Sequence, residues 1–105
     1  MVQGITGTAA IDELIKGGDV ILGFSAPWCG YCRRLRPMVE KLSDEINTPV
    51  YGLNVDVDEE IAKRYEVETI PTLIYFKDGK PVNRIIGYGT VGYEDLKAFV
   101  EKAKE

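Results

Sequence analysis

The sequence predicts an α/β fold in which a central mixed β-sheet of about five strands is flanked by about four helices. Three observations carry that prediction. Short β-branched runs alternate with segments of helical periodicity, one run is apolar at nearly every position, and a hairpin signal precedes a last amphipathic helix. At 105 residues the chain reads as one domain, 1–105, because a second core would not fit.

The elements follow in order. After a short segment Val2–Ile5, the apolar residues Ile11, Leu14 and Ile15 recur at helical spacing and predict a first helix, which Gly17-Gly18 ends. Val20-Ile21-Leu22-Gly23-Phe24 has the near-continuous apolar character of a strand buried on both faces. Leu35, Met38, Val39, Leu42 and Ile46 then keep helical spacing, with Pro37 placed to kink that helix. Val50–Val57 predicts a second buried strand. Asp58-Glu59-Glu60 predicts a cap and an acidic first turn for a short helix carrying Ile61, Ala62 and Tyr65. Thr72–Phe76 reads as a strand, Lys77-Asp78-Gly79-Lys80 as a hairpin turn, and Pro81–Ile86 as the returning strand. Leu96, Phe99, Val100 and Ala103 share one face of the last helix.

Composition narrows the function. Net charge is -4 with both signs interspersed, and no basic stripe suggests nucleic acid as a partner. No apolar run approaches the roughly 18 residues of a membrane span. Met1–Ala10 has neither a basic flank nor a continuous apolar stretch, so a cytoplasmic protein is expected. There are two cysteines and no histidines. A disulfide-framed secreted scaffold of this length normally carries more cysteines, and the absence of His removes imidazole acid–base chemistry and most zinc sites.

The two cysteines are Cys29 and Cys32, in Ala26-Pro27-Trp28-Cys29-Gly30-Tyr31-Cys32, where a buried strand ends and a long helix begins. Cys29 falls at or near the first helical position, where unpaired backbone N–H groups and the helix dipole favour a thiolate. Cys32 lies one turn further on, and is expected to be the more buried and to keep its proton longer. Position thus suggests that Cys29 attacks a substrate disulfide and Cys32 resolves the mixed disulfide. Two other readings stay open: half of a zinc site completed by a second subunit, and an inert disulfide closing a small loop.

With Trp-Cys-Gly-x-Cys reached, the chain resembles the thioredoxin family over nearly its whole length. The Phe-x-Ala-x-Trp-Cys-Gly-x-Cys pattern stands as Phe24 to Cys32, Pro37 matches the proline of the active-site helix, and Leu53-Asn54-Val55-Asp56 matches the end of the central strand. Ile70-Pro71-Thr72 matches the segment with a cis proline facing the disulfide, and Phe76-Lys77-Asp78-Gly79 and Gly87 follow in order. The resemblance implies a thioredoxin fold and an enzyme, a protein-disulfide oxidoreductase cycling Cys29 and Cys32 between dithiol and disulfide. Pro71 would offer no N–H and would shape a groove where a substrate backbone pairs at Ile70. Trp28, Gly30, Tyr31, Ile70, Pro71 and Gly87 would form the substrate-binding surface, with Tyr88 beside Gly87 and with Gly87 letting a partner approach. The implied partners are disulfide-containing proteins and a thioredoxin reductase-type flavoprotein. No cofactor or metal is expected, because two thiols suffice, and a monomer is expected. An oxidase or isomerase, a docking subunit that uses only the fold, and a glutaredoxin-like use of glutathione are the alternatives.

Three positions depart from the family pattern. Gly23 and Gly52 stand where the family has a buried Asp and its Lys partner, and Tyr31 stands where typical thioredoxins have proline. Ser25 occupies the place of a frequent second Trp. Water filling the space at Gly23 is the expected route for the proton of Cys32. Arg33 and Arg34, just past the motif, are candidates for supporting the Cys29 thiolate, or else a solvated helix face.

Overall fold

The computed structural model describes residues 2–87, 89 and 91–105; Met1, Tyr88 and Thr90 lie outside the described residues, Tyr88 and its expected place beside Gly87 with them. The order is β1 (Val2–Gly4), α1 (Thr8–Ile15), β2 (Asp19–Ser25), α2 (Gly30–Glu45), β3 (Val50–Asn54), α3 (Glu59–Arg64), β4 (Thr72–Lys77), β5 (Lys80–Ile86) and α4 (Tyr93–Lys104). The five strands form one sheet in the order β1-β3-β2-β4-β5. β1 and β2 each pair parallel with β3, while β4 runs antiparallel to both β2 and β5. This is the mixed sheet with four helices that the sequence predicts.

The sheet has a core on each face because β2 and β4 are apolar at successive positions that point opposite ways. Ile21, Leu73 and Tyr75 face α2 and α4, meeting Leu35, Val39, Leu42, Leu96, Phe99 and Val100. Val20, Leu22, Phe24, Ile74 and Phe76 face α1 and α3, meeting Ile11, Ile15, Ile61 and Ala62. The helical stripes read from spacing are therefore the faces that bury. Asp78 and Gly79 both take positive φ, 51° and 86°, the geometry that the Asp-Gly hairpin signal calls for. β5 is the exposed edge, and it carries Pro81 where the missing N–H breaks no interior ladder. Among the described residues no helix is long and apolar enough to cross a membrane.

Two local expectations are corrected. The strand predicted at Val50–Val57 stops at Asn54. The Asn54 side-chain oxygen accepts the Asp56 N–H at 2.8 Å, and its carbonyl accepts from Val57 and Asp58, so the chain turns there. Asp58 is the N-cap of α3, but its side chain makes no capping bond. Its buried carboxylate instead accepts the Gly7 N–H at 2.9 Å and the Thr6 hydroxyl at 3.1 Å. The acid that local sequence assigns to one helix thus anchors the entry to another.

Candidate active site

β2, in the middle of the sheet, ends at Ser25, and α2 begins five residues later at Gly30. Between them Cys29 is the N-cap, extended at φ −85° and ψ 112°, with its N–H donated to Ala26 at 3.1 Å. An N-cap side chain normally supplies an acceptor for a free N–H of the first turn. Here the acceptor is sulfur: the Cys29 Sγ takes the Cys32 N–H at 3.1 Å. The first turn of α2 therefore directs a backbone donor, and the positive end of the helix, at this one sulfur.

Cys29 and Cys32 are joined as a disulfide, with Cα atoms 5.3 Å apart. The expected difference in burial is reversed. Cys29 is only 5% exposed, whereas Cys32 is half-buried. The Cys29 Sγ lies 4.0 Å from the Ile70 oxygen, a neighbour that chain position could not reveal. What distinguishes the two sulfurs is the N–H directed at Cys29, not depth.

The Ile70–Pro71 bond is cis, and Pro71 is buried. Thr72 fixes the segment by donating its hydroxyl to the Thr69 carbonyl at 2.5 Å. Gly87 closes the other side, its N–H donated to the Pro71 carbonyl at 2.8 Å. A Cβ on Gly87 would stand 2.6 Å from Leu35 Cδ2 and 3.1 Å from Pro71 Cγ. The space that its missing side chain leaves is thus filled from inside by Leu35 and Pro71, so internal close packing disfavours any side chain there.

Trp28 is 67% exposed and belongs to no core cluster. Its indole N–H is donated to Asp56 Oδ2 at 2.8 Å, which lays an apolar ring beside the motif with its polar edge satisfied. The sequence places Asp56 only at the end of the central strand; nothing in its local pattern marks it as a tryptophan's partner. Tyr31 is 38% exposed, Gly30 is exposed and Ile70 is half-buried. Arg33 folds back over the loop, donating to the Pro27 carbonyl at 3.2 Å.

Gly23 and Gly52 are direct partners across β2 and β3, and Gly4 continues the row on β1. With no side chains there, a cleft of about 490 Å³ opens between this part of the sheet and α2. Cys32, Pro71 and Leu73 line it, as do Arg36 and Glu40 from α2. The Glu40 carboxylate accepts the Val2 N–H at 2.9 Å, tying β1 to that helix.

The thioredoxin family model matches residues 4–102. The chain is 46% identical over 77 residues to a thioredoxin of Chlamydia pneumoniae, covering 72% of this chain and 76% of that one. It is 37% identical over 90 residues to thioredoxin-2 of Saccharomyces cerevisiae, covering 83% and 86%. Among solved structures, a single-site mutant thioredoxin from Halobacterium salinarum superposes with a TM-score of 0.87 at 30% identity, covering 99% of this chain and 91% of that one. Two cysteines separated by two residues, joined at a strand-to-helix junction with the carbonyl of the cis Ile70–Pro71 bond beside them, accompany these similarities: the chain belongs to the thioredoxin family of thiol–disulfide oxidoreductases, with Cys29 and Cys32 as its redox pair.

Proposed function

We propose that this chain works as a reductant of protein disulfides, with Cys29 as the attacking thiol and Cys32 as the resolving one. The observation that carries the assignment is the Cys32 N–H directed at the Cys29 Sγ at 3.1 Å from the first turn of α2. In the reduced chain the same donor and the same helix end favour the Cys29 thiolate. That thiolate attacks one sulfur of a substrate disulfide, a new S–S bond forms, and the other substrate sulfur leaves as a thiolate. Cys32 then loses its proton and attacks the Cys29 Sγ. The second substrate thiolate leaves, and the Cys29–Cys32 disulfide remains, two electrons having passed to the substrate.

Trp28, Gly30, Tyr31, Ile70, Pro71 and Gly87 are proposed as the surface that receives the substrate. Trp28 and Ile70 offer apolar contact, and the backbone at Ile70 offers a pairing edge beside a proline with no N–H. Disulfide-containing proteins are the proposed substrates, and a thioredoxin reductase-type flavoprotein is the proposed source of electrons. A dithiol reductant suits a reducing compartment, which supports a cytoplasmic location. The proposed working form is a monomer.

Reduction of insulin disulfides with a flavoprotein reductase, combined with a redox titration of the pair, tests the proposal. Turnover with a potential near that of other thioredoxins is expected. A potential near that of disulfide isomerases would instead assign the chain to oxidation or isomerisation.

A further inference from the structure

The charge at the start of α2 differs from that of α3 and α4, and α1 carries no acid in its first turn and no base in its last. α3 opens on Glu59 and Glu60 and ends on Lys63 and Arg64; α4 opens on Glu94 and Asp95 and ends on Lys102 and Lys104. Both follow the helix dipole, with anions at the start and cations at the end. α2 does neither. No acidic residue stands in its first turn and no basic one in its last, while Arg33, Arg34 and Arg36 crowd its opening turns. The chain as a whole is acidic, at net -4.

Among the described residues none forms an ion pair with these cations, although Glu40 shares the cleft lining with Arg36. All three arginines are exposed. Arg33 donates a hydrogen bond to the Pro27 carbonyl, which holds its guanidinium beside the motif, with Nη2 4.0 Å from where a Gly30 Cβ would stand. Arg36 is exposed and lines the cleft that Cys32 also lines. On the far side of Trp28 the charge changes sign at Asp56, which holds the indole. A guanidinium presents a planar fork that matches a carboxylate.

We propose that Arg33, Arg34 and Arg36 form a cationic docking collar that selects protein disulfides flanked by acidic side chains. The proposal rests on the reading of Cys29 and Cys32 as a pair that acts on protein disulfides, and it adds the substrate class. The collar steers an acidic segment to the α2 side of Cys29, and Asp56 disfavours the opposite approach. Repulsion of a basic partner is as much a part of the selection as attraction of an acidic one.

The test uses the full chain and two disulfide-bridged peptides of equal length, one flanked by Asp and Glu, the other by Lys and Arg. Second-order rates of reduction are followed through the fluorescence of Trp28, the only tryptophan. At about 10 mM ionic strength the acidic peptide is expected to react roughly tenfold faster, and the gap should close as salt shortens the screening length. Arg34→Glu with Arg36→Glu should reverse the preference. Lys16→Glu with Lys80→Glu makes the same change of net charge at the hairpin end of the molecule, where Lys16 approaches Gly79, and should leave the preference in place. Equal rates for the two peptides in the unaltered chain, or equal loss of preference in both double variants, would overturn the collar. Dissociation constants for the same peptides with Ser in place of each cysteine supply a second reading. Preferential binding of the acidic peptide by a chain that reduces neither one would refute the reductant assignment and uphold the collar. Equal binding would refute the collar whatever the rates.

Discussion

Gly87→Ala isolates one contact that joins the fold to the active site. Gly87 is buried at the end of β5, and its N–H is donated to the Pro71 carbonyl. Its φ lies outside the left-handed region, so alanine meets no backbone penalty and the cost is steric. The added methyl would stand 2.6 Å from Leu35 Cδ2 and 3.1 Å from Pro71 Cγ, well inside carbon–carbon contact of about 3.5–4.0 Å. Leu35 is 4% exposed and packed in the α2–α4 core, and Pro71 is built into the loop that faces the disulfide, so neither moves freely. Overpacking of this kind costs about 1–3 kcal/mol. For a domain of this length each kcal/mol lowers Tm by roughly 4–8 °C. Urea denaturation of the oxidised protein measures the loss directly. Leu35→Ala, which alone should cost about 2–5 kcal/mol by leaving a cavity, supplies the partner for a double-mutant cycle. The methyl introduced by Gly87→Ala would then occupy part of that cavity, and the double variant should be more stable than the sum of the single losses predicts. Simple additivity would refute the claim that Leu35 is the blocking neighbour. An unchanged midpoint in Gly87→Ala would refute the whole steric argument.

Three further outcomes are expected. Burial of the Tyr75 phenol, together with its hydrogen bond to Asp19 at 2.6 Å, raises its pKa above 10.0. Its contribution to stability is therefore complete below about pH 10 and is lost as pH rises through the folded value; denaturation from pH 8 to 11 should show a steeper decline in the unaltered chain than in Tyr75→Phe. Asp58→Ala strands the Gly7 N–H and the Thr6 hydroxyl, and a loss of about 1–3 kcal/mol is expected by urea denaturation; an unchanged midpoint would show that water replaces the carboxylate. Gly23→Asp places a carboxyl in the cleft that Cys32 lines, with its Cβ 3.0 Å from Leu73 Cδ2; the resolving step, read by stopped flow on a mixed disulfide, should speed up and change its pH dependence. An unaltered profile would mean that proton removal from Cys32 does not limit that step.

The periodicities and turn signals of the chain determined its architecture without tertiary information, because they act over a few residues. Asp78-Gly79 favours a primed turn by its own φ preferences, and Ile11 with Ile15, or Leu96 with Val100, share a face because a helix repeats every 3.6 residues. The motif was legible for the same reason: Cys29 and Cys32 are one turn apart wherever a helix begins at Gly30. What only the tertiary structure decided depends on residues far apart in the chain. Cys29 is the more buried cysteine, and its sulfur meets the carbonyl of Ile70, 41 residues on. The carboxylate of Asp58 serves the backbone of Gly7, 51 positions away, rather than its own helix, and Asp56 is spent on Trp28. Gly87 needs its missing side chain because of Leu35, which no local pattern connects to it. Short-range geometry chose the elements; contacts between distant segments chose the partner of each polar group and the space left to each glycine.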